Sequence, residues 1–183
     1  LLRVADTLTG LEALGRAARD RCNARIAAVT GSVGKTGTKE ALALALARGA
    51  LTHASQGNLN NHWGAPLSLA RMPAASTYGV FELGMNHAGE IAPLSRMVRP
   101  HVAIITNVEP VHLEFFSSLS QIADAKAEIF AGLEPGGVAI LNRDNAHFAH
   151  LEAAAKTAGV GRVISFGAHD RADARLIGLA QHP

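Results

Sequence analysis

Short apolar runs alternate with longer amphipathic or alanine- and leucine-rich stretches along most of the chain. The short runs end in polar residues or glycine, which is typical of strands, and the longer stretches have helical spacing. Strands are predicted at residues 26–30, 51–54, 78–82, 102–106, 138–142 and 163–166, with a weaker one near 175–179. Helices are predicted at about 9–21, 36–48, 67–70, 91–98, 120–133 and 146–158.

The order of these elements predicts an α/β fold. Strand and helix alternate, which favours a mostly parallel sheet with helices on both of its faces. The run at 102–106 is continuously apolar up to its last residue, as expected of a strand that is covered on both sides. The helix at 36–48 carries alanine and leucine all round, so we expect it to be buried.

Composition narrows the class of protein. The chain has 183 residues, about one domain, and a net charge of +2 without any block of lysine and arginine, so nothing indicates a nucleic-acid partner. Cys22 is the single cysteine, so no disulfide framework is possible, and no apolar run reaches the about 18 residues of a membrane-spanning helix. We expect a cytoplasmic protein with no membrane partner, and we expect it to be a monomer.

A phosphate-binding loop is predicted between the first strand and the helix that follows it. The stretch reads Val29-Thr30-Gly31-Ser32-Val33-Gly34-Lys35-Thr36, so a strand leads through a glycine-bearing turn into a helix. Backbone N–H groups at a helix N-terminus bind anions, a lysine can contact phosphate oxygens, and a threonine hydroxyl can ligate Mg²⁺. The general P-loop has its first glycine where this chain has valine, and an ordinary turn with a surface lysine is the alternative. The candidate nucleotide-binding residues are Thr30, Gly31, Ser32, Val33, Gly34, Lys35, Thr36 and Gly37.

Two further strand ends carry residues that suit a metal-dependent site. Glu82 closes the third predicted strand, and His112 lies a few residues past the fourth. Because the carboxyl ends of parallel strands meet at one edge of a sheet, we expect both side chains near Lys35 and Thr36. Thr36, Glu82 and His112 are therefore candidate ligands for Mg²⁺, although imidazole is softer than Mg²⁺ prefers. A solvated or helix-capping glutamate and a surface histidine are the alternatives.

Lys126 interrupts an apolar stripe on the helix predicted at 120–133. By helical spacing the stripe contains Ile122, Lys126, Ile129, Phe130 and Leu133. The lysine stem could pack in this stripe while its head reaches water, or the lysine could point into the site. The pattern of residues leaves both interpretations open.

An amide-rich loop follows the second predicted strand. Asn58, Asn60 and Asn61 lie between Gly57 and Gly64. Amide side chains both donate and accept hydrogen bonds, which suits a polar uncharged ligand such as a peptide or a sugar. A turn that uses asparagine for left-handed backbone conformations is the alternative.

Four motifs, in order along the chain, carry a family resemblance. They are Thr-Gly-Ser-Val-Gly-Lys-Thr at 30–36, Gly-Asn-Leu-Asn-Asn-His-Trp-Gly-Ala-Pro-Leu at 57–67, Phe-Glu-Leu-Gly-Met-Asn-His-Ala-Gly-Glu-Ile at 81–91, and Glu-Pro-Val-His-Leu-Glu-Phe-Phe with Ala-Lys-Ala-Glu-Ile-Phe within 109–130. The chain resembles the Mur ligases, ATP-dependent amide-bond synthetases of peptidoglycan assembly, from about Leu8 to Asn145. Within the family it is similar to the branch that joins D-alanyl-D-alanine to UDP-N-acetylmuramoyl-tripeptide.

The resemblance implies a P-loop NTPase-like central domain of a ligase that uses ATP and Mg²⁺. The terminal carboxylate of the tripeptide would become an acyl phosphate, which the amine of D-alanyl-D-alanine would attack. Lys35 would bind the β- and γ-phosphates and Thr36 the metal, while Glu82 and His112 match the family's acidic and histidine metal positions. Lys126 matches a lysine that is carbamylated in some members. Lys35, Glu82, His112 and Lys126 are thus the candidate catalytic residues.

The resemblance also bears on the amide loop and the domain organisation. Asn58, Asn60 and Asn61 would face the muramoyl-peptide substrate or its neighbouring loops. Residues 1–21 would be a linking helix from an N-terminal UDP-binding domain, and residues 22–183 an incomplete central ATP-binding domain without the C-terminal domain. The family's adenine-binding segment is not among these residues, so we expect this chain alone to bind ATP weakly and not to ligate.

Two other functions stay open from the sequence. A ligase of the folylpolyglutamate or cyanophycin synthetase type would share the phosphate loop, although the amide-rich loop argues against it. A non-catalytic nucleotide-binding module could use the loop as a switch. Such a module would not need Glu82, His112 and Lys126 together.

Overall fold

Seven parallel strands form one sheet in the computed structural model, which describes residues 3–111 and 114–178. The strands are β1 (Arg25–Thr30), β2 (Thr52–Ala54), β3 (Tyr78–Glu82), β4 (Val102–Ile105), β5 (Val138–Asn142), β6 (Arg162–Gly167) and β7 (Ala174–Arg175). Their order across the sheet is β2-β3-β1-β4-β5-β6-β7, and each neighbouring pair is parallel. The predicted α/β fold is confirmed.

Six α-helices accompany the sheet within the described residues. They are α1 (Thr7–Asp20), α2 (Lys35–Ala47), α3 (Gly64–Ala70), α4 (Ile91–Val98), α5 (Leu119–Ala127) and α6 (Phe148–Thr157). The helix predicted up to residue 133 ends sooner, because its last part tightens into a 3₁₀ helix at Glu128–Gly132. Gly132 lies against the backbone of Ser95 in α4, where a Cβ would overlap it. None of the helices in this part of the chain has the length and hydropathy needed to cross a membrane.

The helices cover the two faces of the sheet unequally. The larger core, which includes Phe81 and Ile105, lies between one face and α3, α4, α5 and α6, with α1 packed on α3 and α4. The smaller core, which includes Val29 and Val80, lies under α2. Because α2 is the one helix on its face among the described residues, its outer side meets solvent and Leu44 is 72% exposed. The prediction that this helix is buried is therefore wrong.

The chain changes direction across the sheet at β1. It adds β2 and β3 on one side of β1 and then crosses to β4 on the other side. In register, Glu82 lies opposite Val29, and Ile105 lies opposite Thr30, so the carboxyl ends of β3, β1 and β4 converge. Open α/β sheets bind their ligands at such a point.

Candidate phosphate and metal site

The loop after β1 is held open by its glycines and by the loop after β4. Gly31 and Gly34 have φ values of +149° and +82°, which favour glycine, and a Cβ on Gly31 would overlap the Thr106 hydroxyl. That hydroxyl donates to the loop backbone at 2.6 Å. Ser32 Oγ donates to the Glu109 carbonyl at 3.0 Å and accepts from the Glu109 N–H at 2.9 Å. The loop is thus preformed around the N-terminus of α2, where N–H groups are available to an anion.

Lys35 lies over this loop and is half-buried. Its Nζ donates to the Gly31 carbonyl at 2.8 Å. Burial lowers the pKa of Lys35, and the negative charge of Glu82 opposes that shift, so the two side chains interact electrostatically. The remaining predicted phosphate-loop residues belong to the same turn and the strand and helix ends beside it, and they are Thr30, Ser32, Val33, Gly34, Thr36 and Gly37.

Glu82 is the buried carboxylate of the site, with 2% of its surface exposed. Its Oε2 accepts a hydrogen bond from Thr36 Oγ1 at 2.8 Å, and its Oε1 accepts one from Asn60 Nδ2 at 2.8 Å. Its backbone N–H donates to Ser55 Oγ at 3.1 Å. The burial excludes a solvated glutamate, and the structure brings Thr36 and Glu82 together as the sequence predicted.

Thr36 and Glu82 fit a Mg²⁺ ion that is shared with phosphate. The Thr36 hydroxyl donates a hydrogen bond to Glu82, which leaves the lone pairs of the Thr36 oxygen free for a cation. Among the described residues no three His, Cys, Asp or Glu side chains form a metal-binding group. Such a small set of protein ligands is usual where phosphate oxygens and water complete the coordination of Mg²⁺. The predicted ligand His112 lies outside the described residues.

Lys126 is buried near the C-terminal end of α5. With 2% of its surface exposed, its head does not reach bulk water, which argues against the snorkelling alternative. Burial, and after it the positive charge of Lys35, lowers the pKa of Lys126 to about 8. Lys126 therefore lies within electrostatic reach of the phosphate loop, and part of it is a neutral amine at neutral pH.

The three asparagines of the amide loop have different surroundings. Asn58 is exposed. Asn61 is also exposed, and its Oδ1 accepts hydrogen bonds from the N–H groups of Trp63 and Gly64 at 3.1 and 2.9 Å, so it caps the start of α3. Asn60 turns inward and donates to Glu82. These residues are thus not a uniform set of ligand contacts.

A polar groove runs from Lys35 along the amide loop and the loop after β3. A cleft of about 270 Å³ is lined by Lys35, Asn60, Asn61, His62, Gly84, Met85, Asn86 and Glu90. A second cleft of about 330 Å³ shares four of these residues and extends to Glu12 and Arg16 on α1. A larger cavity of about 490 Å³ lies on the α2 side of the sheet and has a mostly apolar lining. The polar groove is the one that reaches the phosphate loop.

Lys39 is a positioning residue that the sequence analysis did not single out. It is fully buried, and its Nζ donates to the carbonyls of Ser55 and Gly57 at 2.7 and 3.0 Å. It also pairs with Glu40 Oε1 at 2.9 Å. Because Lys39 lies one turn after Lys35, α2 carries both the phosphate-loop lysine and the lysine that holds the start of the amide loop. Its spacing from Lys35 was visible in the sequence, but its burial was not.

Replacing Lys39 with alanine is expected to destabilise the protein by about 3 kcal/mol, because the buried Ser55 carbonyl and the partly buried Gly57 carbonyl lose their donor and a cavity forms. Lys39→Met, which fills the space without the charge, should cost less. Urea unfolding of the variants measures both values. Glu40→Ala is the control, since Glu40 is 62% exposed and its loss should change stability by less than about 0.5 kcal/mol. An unchanged unfolding midpoint for Lys39→Ala would contradict the role of Lys39.

Comparison with known proteins gives a family match. The family model described as the Mur ligase middle domain matches residues 29–182. The chain is also 40% identical over 177 residues to the UDP-N-acetylmuramoyl-tripeptide–D-alanyl-D-alanine ligase of Rickettsia prowazekii. That match covers 97% of this chain and 39% of the Rickettsia protein.

Two solved structures are similar in both fold and sequence. A crystal structure of MurF from Acinetobacter baumannii has a TM-score of 0.84 and 42% identity, over 91% of this chain and 36% of that chain. The MurF ligase from Thermotoga maritima in complex with ADP has a TM-score of 0.80 and 29% identity, over 92% of this chain and 38% of that chain. The chain therefore spans less than two fifths of the length of the relatives that it matches.

Proposed function

This chain belongs to the Mur ligase family, and we propose that the full-length protein is an ATP-dependent ligase that adds D-alanyl-D-alanine to UDP-N-acetylmuramoyl-tripeptide. The observation that carries the proposal is the contact between Thr36 and Glu82 beside Lys35, where a phosphate and a metal would be held together. The Rickettsia relative bears the name of this ligase. The Thermotoga structure contains ADP, which supports ATP as the nucleotide.

Residues 30–37 would bind the phosphates of ATP. The glycines let the backbone approach the phosphate oxygens, and N–H groups at the start of α2 would donate to them. Lys35 would exchange its bond to the Gly31 carbonyl for the β- and γ-phosphates. Thr36 and Glu82 would hold Mg²⁺, which neutralises charge on the transferred phosphoryl group when it is bound. His112 stays the predicted additional ligand.

The proposed reaction depends on positioning and charge neutralisation and needs no protein nucleophile. A carboxylate oxygen of the tripeptide would attack the γ-phosphorus of ATP, and ADP would leave. The amine of D-alanyl-D-alanine would then attack the acyl carbon, phosphate would leave with the bonding electrons, and the amine would lose a proton as the amide forms. Lys35 would stabilise the charge of the phosphoryl group in the first step and of the departing phosphate in the second.

We assign the polar groove to the muramoyl peptide. It starts at Lys35, where the reacting carboxylate must lie, and extends past the amide loop towards α1. Asn58 and Asn61 are exposed on that loop and are the candidate substrate contacts. Lys126 would serve the same site as a carbamate, which its burial and its lowered pKa support.

The product of this reaction would be a peptidoglycan precursor. The proposed function therefore belongs to cell wall biogenesis, and through it to cell shape and cell division. Both ATP and a UDP-linked substrate are available in the cytoplasm, so we propose that the protein acts there. That it is a monomer, with no nucleic-acid or membrane partner, stays a prediction.

The test uses the full-length protein with ATP, Mg²⁺, UDP-N-acetylmuramoyl-tripeptide and D-alanyl-D-alanine. We expect phosphate release that requires all four and a product heavier than the tripeptide by one D-alanyl-D-alanine residue pair. Omitting D-alanyl-D-alanine is the control. Phosphate release with a folate or a cyanophycin primer in place of the muramoyl peptide would point to another branch of the superfamily. Nucleotide binding without phosphate release under any of these conditions would indicate a non-catalytic nucleotide-binding module.

A further inference from the structure

Asn60 lies in the site, whereas the side chains of Asn58 and Asn61 are exposed. Asn60 Nδ2 donates to Glu82 Oε1 at 2.8 Å, and Thr36 Oγ1 donates to Glu82 Oε2 at the same distance. Each oxygen of this buried carboxylate thus has its own donor. One donor belongs to the phosphate-loop helix and the other to the amide loop.

Asn60 is itself held in place, both by its backbone and by the packing of its side chain. The backbone N–H of Gly84 donates to the backbone carbonyl of Asn60 at 2.8 Å. The Asn60 amide packs directly over Gly84, where a Cβ would come within 2.8–2.9 Å of the amide atoms. Two residues earlier in the sequence than Asn60, the Asn58 carbonyl accepts from the Asn60 N–H at 2.7 Å. The amide therefore approaches Glu82 from a fixed position.

This matters because the terminal torsion of a glutamate is soft. Rotation about the last bond of an sp³–sp² side chain has broad minima, so a carboxylate that Thr36 alone holds could turn its plane. Loss of a group that orients a metal ligand typically lowers metal affinity by about 10- to 100-fold. A second donor on Oε1 fixes the plane of the Glu82 carboxylate while it leaves the other lone pairs free for a cation.

We propose that Asn60 is a positioning residue for the metal site: it orients Glu82 so that Oε2 meets both Thr36 and a Mg²⁺ ion bound with ATP. The inference rests on the proposed function, because it takes Glu82 as a metal ligand. It also gives Asn60 a role different from that of Asn58 and Asn61 on the same loop. The loop would thus join the metal site to the groove of the acyl substrate.

The test compares ATP binding with and without Mg²⁺ in the full-length protein. Asn60→Leu keeps the volume of the side chain but removes the donor to Glu82. Calorimetric titration of ATP should show that the gain in affinity brought by Mg²⁺ falls 10- to 100-fold in this variant. Affinity for metal-free ATP should stay within about twofold of the parent, because Lys35 and the phosphate loop are unchanged. That second value also shows that the variant is folded.

Asn61→Leu is the matched control, since it removes a neighbouring amide whose side-chain hydrogen bonds come from the backbone N–H groups of Trp63 and Gly64 at the start of α3, and not from Glu82. It should leave the magnesium-dependent gain unchanged and raise KM for the UDP-linked substrate. The inference would be overturned if Mg²⁺ raised the ATP affinity of Asn60→Leu as much as that of the parent, or if the variant showed only a raised KM for the UDP-linked substrate. A parent protein without any magnesium-dependent ATP binding would instead overturn the proposed function.

Gly84→Ala tests the same geometry without touching the donor. The added Cβ would press on the Asn60 amide and displace it from Glu82. We therefore expect the magnesium-dependent gain to fall in Gly84→Ala as well, with metal-free ATP binding retained. The proposal would be contradicted if ATP binding by Gly84→Ala showed the parental dependence on magnesium while a crystal or solution structure of the variant showed the Asn60 amide displaced from Glu82.

Discussion

Replacing Lys35 with alanine in the full-length protein is expected to lower phosphate release by about 10²–10³-fold, which is the usual loss when one group that stabilises developing charge is removed. Lys35 is the cation that the structure places over the loop after β1, within reach of Glu82. The site would lose its stabilisation of the phosphoryl charge, while the backbone cradle around it would stay. Phosphate release with all substrates saturating measures the effect.

The fold should survive this substitution. The folded state disfavours the charge of Lys35, as its lowered pKa shows, so removing the ammonium relieves a desolvation cost. The thermal midpoint of Lys35→Ala should therefore stay close to that of the parent. Arg48→Ala is the matched control, because Arg48 is an exposed cation at the far end of the same helix and should leave turnover unchanged. Parental turnover by Lys35→Ala would mean that the loop is not the phosphate site.

The sheet and most helix positions could be predicted because they depend on local signals. The bounds of β3, α4 and β5 match the predictions to the residue, since an apolar run or stripe ends there at a polar residue, a glycine or a proline. The exposure of one side of α2 to solvent could not be predicted in this way. An alanine- and leucine-rich helix looks buried from every side, and only the arrangement of the other helices decides that Leu44 faces solvent.

The candidate site could likewise be predicted only in part from the sequence. The meeting of Thr36 and Glu82 follows from the order of the elements, because Glu82 ends β3 and Thr36 lies in the first turn of α2, just past the loop that leaves the adjacent parallel strand β1. The inward turn of Asn60 depends on how the amide loop packs over Gly84, which no spacing in the sequence reveals. The burial of Lys39 could not be predicted for the same reason. A lysine on an amphipathic helix is usually exposed, and its burial here requires the carbonyls of a loop that is distant in sequence.

Lys126→Ala is the second substitution with a large expected effect, a loss of phosphate release of about 10²-fold or more if Lys126 carries a carbamate at the site. The neutral Nζ would attack the carbon of CO₂ and lose a proton, which gives a negatively charged carbamate. With a pKa of about 8, roughly a quarter of Lys126 is neutral at pH 7.5, compared with about 0.1% for a lysine at the ordinary 10.5. The burial that lowers the pKa thus prepares the amine for this reaction.

Rescue distinguishes a carbamate from an ammonium at position 126. A short carboxylic acid such as acetate should restore part of the activity of Lys126→Ala, because it can supply the missing carboxylate, whereas bicarbonate should not, because the amine is gone. Lys156→Ala is the control, since Lys156 is 68% exposed on α6 and should show neither loss nor rescue. Parental activity of Lys126→Ala would discard the carbamate, and a loss without rescue by acid would indicate that the ammonium itself is required.

The pH profile gives an independent measure of the same group. The pKa of Lys126 is lowered, so its neutral fraction grows as the pH rises through about 8, and activity of the parent protein should rise between pH 7 and 9 when CO₂ is held constant. Acetate-rescued Lys126→Ala keeps the titration of the D-alanyl-D-alanine amine but lacks that of Lys126, so its activity should rise less over this range. Incubation of the parent with ¹³C-labelled bicarbonate should also produce a carbamate carbonyl signal in the NMR spectrum, and the signal should be missing from Lys126→Ala. A signal of equal size in both proteins would place the modification on another lysine.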